Sequence, residues 1–303
     1  MIDTHYDLLS IAYVDYLNNN FDRIKKYTDE IRSGGVTDVF ANLYFLSIDE
    51  MKYELHDNYY NGNVLSMFKT ARDVLEYYGH DISFIYSIEG CDYLEISDLD
   101  NLYKEGLRSI LLVWNNENKY GSGNKTNKGL TECGKRFLNK AISLGIGSDF
   151  SHANDETFFD MVNVIKENKE SICYASHSNA RALHNISRNL SDEQILELKN
   201  INGSIGVISN RFFLDDNDDK RKEYLNHIIY ISNLIGIDNV MLSTDDMRFL
   251  SHIDPEYIYR PIYTYDSISY EIKNDLSKVF NDEEVDKILY KNARSVVRRL
   301  KKW

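Results

Sequence analysis

The chain has 303 residues, 43% hydrophobic and 27% charged, with only two prolines, a balance that supports a large buried core and argues against long disordered regions. Acidic residues outnumber basic ones by 48 to 35, and the resulting net charge of -13 repels a phosphate backbone, which argues against nucleic acid as a partner. The three cysteines Cys91, Cys133 and Cys173 lack zinc-ribbon or Cys-x-x-Cys spacing, and neither a leader-like N-terminus nor an apolar run of ~18 residues occurs, so the expectation is a cytoplasmic protein without disulfides and without a membrane partner.

Taken in chain order, residues 2–7 (IDTHYD) read as a first strand, and the helical period of residues 21–35 ends in the glycine pair Gly34 and Gly35 expected beyond a helix C-terminus. Further strands are predicted near 38–45, 83–89, 109–115 and 145–152, then near 172–178, 204–210 and 240–246. Between the sixth and seventh, residues 191–203 read as a helix opened by an N-capping Ser191. Eight strands alternating with helices predict an α/β fold, a closed (β/α)8 TIM barrel of one domain over residues 1–303, since ~250 residues commonly suffice for such a barrel and closure leaves no exposed edge. An open doubly wound sheet is the alternative, but no glycine-rich phosphate loop follows the first strand, and Gly121-Ser122-Gly123 is too short and follows the wrong strand. The asparagines 18–20, the Asn58–Asn63 segment and the Asp215–Asp219 run read as solvated loops or element ends, and the basic tail Arg298, Arg299, Lys301 and Lys302 as a solvated helix end.

The chemistry is carried by position. His5 and Asp7 stand two apart on the first strand, so alternation turns both toward one face, and His152 and His177 end the fifth and sixth strands. Glu89 ends the apolar third strand and Asp245 the eighth, so all six groups fall on the rim where barrel enzymes build their active sites. Alone, His5 and Asp7 read equally as a cap or salt-bridged pair, each histidine as a satisfied core residue, and Glu89 as the partner of a rim cation. Jointly, imidazoles and carboxylates at matching rim positions are the donor set of a catalytic zinc site. A buried Glu89 demands cations or hydrogen bonds, and a carboxylate between two metals meets that demand. Two metals sharing one hydroxide bring its pKa toward ~7 and so supply a nucleophile at neutral pH.

Asp3-Thr4-His5-Tyr6-Asp7, Ser87-Ile88-Glu89-Gly90, Gly129-Leu130-Thr131, Leu144-Gly145 and Asp149-Phe150-Ser151-His152 form an ordered series. It continues through Ser176-His177-Ser178-Asn179-Ala180-Arg181, Arg188-Asn189-Leu190-Ser191-Asp192-Glu193 and the late Tyr290-Lys291-Asn292-Ala293-Arg294. In order and spacing, over nearly the whole chain, the series resembles the membrane (renal) dipeptidase family of zinc peptidases. The resemblance implies two zinc ions per chain: one held by His5 and Asp7, the other by His152 and His177, with Glu89 bridging. It further implies that Arg188 grips the terminal carboxylate of a small peptide substrate and that Asp245 takes a proton from the attacking water and passes it to the leaving amine. Arg188 on its own would read as a surface ion pair. A homodimer is also implied, for which no interface signature is visible.

Two departures bear on the substrate. Where many relatives carry a histidine after the fourth strand, this chain has Trp114 and then Asn115, which can line the substrate pocket but cannot replace imidazole chemistry. The family's strand-eight motif appears as Ser243-Thr244-Asp245-Asp246-Met247-Arg248, which places a cation near the mouth and leaves open that Asp246 takes the catalytic role. The leading expectation is thus a binuclear zinc dipeptidase. The alternatives are an amide or lactone hydrolase acting on other small substrates such as N-acyl amino acids, motivated by that altered loop, and a silent ligand-binding homologue, motivated by both departures.

Overall fold

A computed structural model describes residues 1–44, 62–168, 170–215, 218–248 and 259–302. Phe45, residues 58–61 of the asparagine-rich segment and residues 216–217 of the acidic run lie outside the described residues. Eight parallel strands close into a barrel in sequence order, β1 Ile2–Tyr6, β2 Asp38–Tyr44, β3 Ser83–Glu89, β4 Leu107–Leu111, β5 Gly147–Asp149, β6 Cys173–Ala175, β7 Ser204–Ile208 and β8 Val240–Ser243. The seam is closed by Asp3 of β1 against Leu242 of β8. The (β/α)8 barrel expected from the sequence is therefore the fold, and the open sheet is excluded.

The helices between the strands follow the local signals. Helix α1 spans Leu8–Leu17 and α2 spans Asp22–Ser33, where Gly35 takes the left-handed conformation (φ 69°) just past the end. Next come α3 Val64–Tyr78, α4 Leu99–Lys104, α5 Glu132–Ser143 and α6 Asp155–Glu167. Helix α7, Asp192–Asn200, is opened by Ser191, which accepts from the Gln194 N–H while the Gln194 side chain returns to the Ser191 N–H, a capping box. Helices α8 Lys220–Ile235, α9 Ile268–Leu276, α10 Asp282–Asp286 and α11 Asn292–Leu300 complete the described set.

The two ends of the barrel differ in chemistry. At the N-terminal end, Val296, Val297 and Leu300 of α11 plug the opening against Ile2, Phe40, Tyr174 and Met241, all buried. Burial of each large apolar side chain there stabilises by roughly 1.5–3 kcal/mol. Asn292 fixes the plug by donating to the carbonyls of Ile237 and Val240, both at 2.7 Å. The basic tail ends this helix: Arg298, Lys301 and Lys302 are exposed, and Arg299 donates to the Ser171 carbonyl.

At the opposite end β1 carries an irregularity that matters for the site. From Asp3 to Tyr6 it advances three residues while β2 advances two, from Val39 to Ala41. This bulge breaks the alternation. Thr4 reaches into the barrel, donating to the carbonyls of Ser176 and Leu242, and the next residue, His5, also turns to the mouth. Strands β5 and β6 are shorter than their sequence patterns because a side chain takes over the ladder: Asp149 Oδ1 accepts from the Ser151 and Ser176 N–H groups. Strand β4 starts two residues earlier than expected and leaves Trp114 and Asn115 in the loop beyond it, where Asn118 ties the turn together through the Leu112 carbonyl and the N–H groups of Tyr120 and Gly121.

Candidate metal centre

The C-terminal rim gathers every sequence-predicted ligand. Glu89 is the last residue of β3, and its two oxygens face two different groups of side chains. Its Oε2 lies 3.3 Å from His5 Nε2, which in turn is 3.6 Å from Asp7 Oδ1. Its Oε1 lies 2.9 Å from His152 Nε2 and 3.6 Å from His177 Nε2, and those two ring nitrogens face each other at 3.0 Å. The His5 and His177 rings stack with centroids 3.7 Å apart, which closes the cluster. All five side chains are buried, the most open being Asp7 and His152 at 8%.

Each imidazole is aimed from behind. Asn115 Oδ1 lies 2.9 Å from His152 Nδ1, and Ser176 Oγ lies 2.7 Å from His177 Nδ1, so a proton on each Nδ1 leaves each Nε2 lone pair directed into the centre. Asn115, expected to line the substrate pocket, thus commits its carbonyl oxygen to a candidate ligand. Two polar atoms at the centre, His5 Nε2 and Glu89 Oε1, are buried with ion-pair contacts but without a well-formed hydrogen bond. Such under-satisfied groups in a dry site are costly, and a cation between them removes the cost. The residues present therefore fit a metal: three groupings, His5-Asp7-Glu89, Glu89-His152-His177 and His5-His177-Asp245, each bring their ligand atoms within 4.8 Å of one another.

Protonation follows from crowding several carboxylates into this pocket. Burial pushes Asp7 up to about 8, with the Glu89 charge adding to it. Asp245 is raised to about 6 by burial and Glu89, against the pull of His5 and Arg188. Glu89 itself stays ionised: burial pushes it up, but His5 and His152 outweigh this and hold it well below the usual carboxylate range. His5 is raised to about 10, since Glu89, Asp7 and Asp245 overcome the burial that would lower it. Burial brings His152 down to about 4, with Arg188 assisting, and drives His177 well below its ordinary value. Two neutral imidazoles and a fixed carboxylate are what metal binding requires, and the protons on His5 and Asp7 stand where positive charge is demanded.

The remaining candidates surround this cluster. Asp245 Oδ1 is 3.8 Å from His5 Nε2, and the residue is held at φ 45°, a left-handed conformation costly for aspartate, which His152 shares at φ 69°. Arg188 is buried, donates to the His177 carbonyl (2.7 Å) and to Ser178 Oγ (3.2 Å), and lies over the Phe213 ring at 5.4 Å. No carboxylate lies within ion-pair distance of it among the described residues. Trp114 stands beside the cluster, its ring 6.0 Å from that of His152 and 5.0 Å from that of Tyr44.

One expectation is corrected. Arg248 does not offer a free cation to the mouth: it forms a two-pronged pair with Asp246 (2.6 and 2.7 Å) and a further pair with Glu30 of α2 at 2.8 Å, while lying over the Tyr27 ring. Asp246 is consumed by this clamp, so Asp245 is the carboxylate that faces the cluster.

The structure also adds residues that the sequence reading missed. Asn42 of β2, fully buried, donates from Nδ2 to both Asp7 Oδ1 (3.1 Å) and Glu89 Oε2 (2.9 Å). Asp3 accepts from the His5 and Thr244 N–H groups and from the Thr244 and Tyr265 hydroxyls, tying β1 to β8 beneath His5 and Asp245. Asn210 reaches Asp245 Oδ2 at 3.3 Å. For Asn42 a signal existed, a lone amide in the middle of an apolar strand. For Asp3 and Asn210 the partners lie far away in sequence.

A model of the membrane dipeptidase family (peptidase family M19) matches residues 2–302. Over 179 residues the chain is 32% identical to an uncharacterized protein in the pqqA 5′ region of Klebsiella pneumoniae, a match spanning 54% of this chain and 65% of that protein. Over 163 residues it is 27% identical to an uncharacterized dipeptidase of Schizosaccharomyces pombe, spanning 51% of this chain and 39% of that protein. The chain thus spans less than two thirds of the length of these curated relatives. The crystal structure of a metallo peptidase from Rhodobacter sphaeroides, liganded with a phosphinate mimic of the dipeptide L-Ala-D-Ala, shares the fold with a TM-score of 0.75 and 20% identity, covering 99% of this chain and 98% of that one.

Proposed function

We infer the activity of this centre from one premise: the chain belongs to the membrane dipeptidase family, peptidase family M19. The proposed function is hydrolysis of the peptide bond in dipeptides by a binuclear zinc site. The observation that carries it is Glu89, one buried carboxylate whose two oxygens are divided between His5 with Asp7 and His152 with His177. Two zinc ions fit that donor set of imidazoles and carboxylates. Bound there, they would supply Lewis acidity and a water ionised near neutral pH.

The protein's own groups do the rest. Asp245, with its carboxyl raised to about 6, is placed to take a proton from water and hand it to the departing amine. Arg188, a buried guanidinium without a carboxylate partner among the described residues, offers a binding point for the substrate's terminal carboxylate. Trp114 and Tyr44, their rings 5.0 Å apart, wall one side of the centre. The reading takes residues 1–303 as one catalytic unit in the cytoplasm, in keeping with the free cysteines Cys91, Cys133 and Cys173, and as a homodimer. Among the described residues, no helix is long and apolar enough to cross a membrane. The alternative of an amide or lactone hydrolase acting on other small substrates such as N-acyl amino acids rested on the altered loop after β8, in which Arg248 is bound to Asp246 and Glu30.

Hydrolysis of a panel of L,L and L,D dipeptides by the zinc-loaded protein tests the reading. Turnover that falls about 10²–10⁴-fold in Asp245→Asn, with zinc content and melting temperature retained, is the expected outcome. A variant with undiminished turnover would remove Asp245 from the mechanism, and a metal-loaded wild type that cleaves no member of the panel would support a silent homologue.

A further inference from the structure

Three lysines lie in the loop between β4 and α5, and two are spent on carboxylates: Lys119 pairs with Glu95 at 2.6 Å and Lys128 with Glu117 at 2.8 Å. The third, Lys125, has no carboxylate partner among the described residues, although the chain carries a net charge of -13. Its ammonium instead lies 5.7 Å from the centroid of the Trp114 ring, within cation–π range. The backbone that carries this lysine is held in place, because the Lys125 N–H donates to the carbonyl of Asn115 at 2.8 Å, and the Thr126 carbonyl accepts from Asn154. Gly123 lets this loop dock so closely that an added Cβ would stand 1.7 Å from the Trp114 carbonyl oxygen.

The position relative to the metal centre gives the lysine a meaning. Trp114 stands over the turn that follows Glu89, where a Cβ on Gly90 would lie 3.7 Å from its own, and against Tyr44 at the end of β2. With its ring also 6.0 Å from that of His152, it stands over the β2–β5 side of the rim. Arg188, over Phe213 and donating to the His177 carbonyl, belongs to the β6–β7 side. The rim around the centre thus carries two cations, each resting on an aromatic ring.

We propose that Lys125, seated on Trp114, forms a subsite for the side-chain carboxylate of the substrate's N-terminal residue, so that the preferred substrates are dipeptides beginning with Glu or Asp. The inference rests on the dipeptidase reading, with the terminal carboxylate at Arg188 and the N-terminal residue on the Trp114 side of the metal centre. A substrate of this class carries an anion at each end, matching the two cations. Because Lys125 is exposed, the pairing is screened and the preference shrinks as salt is raised.

Two measurements separate the inference from the reading it rests on. The first compares kcat/KM for Glu-Ala and Gln-Ala in the zinc-loaded wild type and in Lys125→Met and Lys125→Glu. The second titrates the same two dipeptides by calorimetry into zinc-loaded Asp245→Asn protein, with and without Lys125→Met. The expected result is a preference for Glu-Ala of about twofold to fivefold in both, erased by Lys125→Met and reversed by Lys125→Glu, with Gln-Ala kinetics unchanged. Equal handling of the two peptides by a wild type that cleaves both overturns the subsite and leaves the dipeptidase reading standing. Selective, lysine-dependent binding of Glu-Ala without any hydrolysis upholds the subsite and overturns the reading. Absence of binding by either peptide overturns both.

Discussion

Replacing Asn115 by leucine separates two roles that its position allows. Its Oδ1 is 2.9 Å from His152 Nδ1, and His152 Nε2 faces Glu89 Oε1 at 2.9 Å and His177 Nε2 at 3.0 Å. Leucine keeps the volume and removes the acceptor, so the imidazole loses the bond that holds its proton on Nδ1 and its ring in line. A hydrogen bond of this kind contributes about 1–1.5 kcal/mol net. Since 1.4 kcal/mol is a factor of ten, zinc affinity at the His152-His177 position should fall about tenfold, the lower end of the ~10–100-fold typical of groups that orient a metal ligand. Chelator-competition titration reads this directly, and KM at saturating zinc should stay where it was. Asn115→Asp, which keeps an acceptor, should restore the affinity. Zinc affinity within threefold of wild type, together with a raised KM, would refute the reasoning and place Asn115 on the substrate instead.

Two further predictions concern the scaffold. An added Cβ at Gly206 of β7 would meet the Ser176 carbonyl oxygen at 1.9 Å and Thr4 Oγ1 at 2.3 Å. Gly206→Ala should therefore lower the melting temperature by at least about 5 °C, and a variant melting like the wild type would show that the barrel interior relaxes there. Buried His227 accepts the Ala180 N–H at Nδ1, in the segment that carries His177 and Arg188, and burial lowers its pKa from the ordinary 6.5 to about 4. The unfolded chain thus takes up this proton first as pH falls, so the residue's contribution is complete above about 6.5 and is lost toward 4, at most about 3 kcal/mol. Melting of the zinc-loaded protein across that window should be steeper in pH for wild type than for His227→Gln, and identical slopes would contradict the assignment.

How much of this was legible beforehand differs by residue. All eight strands were visible because a barrel strand is short, apolar and bounded by turn residues, and the rim positions of His5, Glu89, His152 and His177 followed from strand ends alone. That Thr4, directly before the inward His5, also turns inward was not legible, because it depends on a bulge set by pairing with β2. The strand ends of β5 and β6 were overestimated, since Asp149 replaces a ladder bond with a side-chain bond to a residue 27 positions on. Asp3 likewise finds Thr244, 241 positions away, and no local pattern announces such a partner. Arg248 was misjudged for the same reason: its charge is visible in the sequence, but the Glu30 that shares it lies 218 residues earlier.

The central claim is that five side chains build one centre for two metals, and metal content per chain tests it most directly. Elemental analysis of zinc-loaded, desalted protein should give about two zinc ions per wild-type chain and no more than one when His152 and His177 are both replaced by alanine. A wild type that retains no zinc, or a double variant that still retains two, would contradict the account.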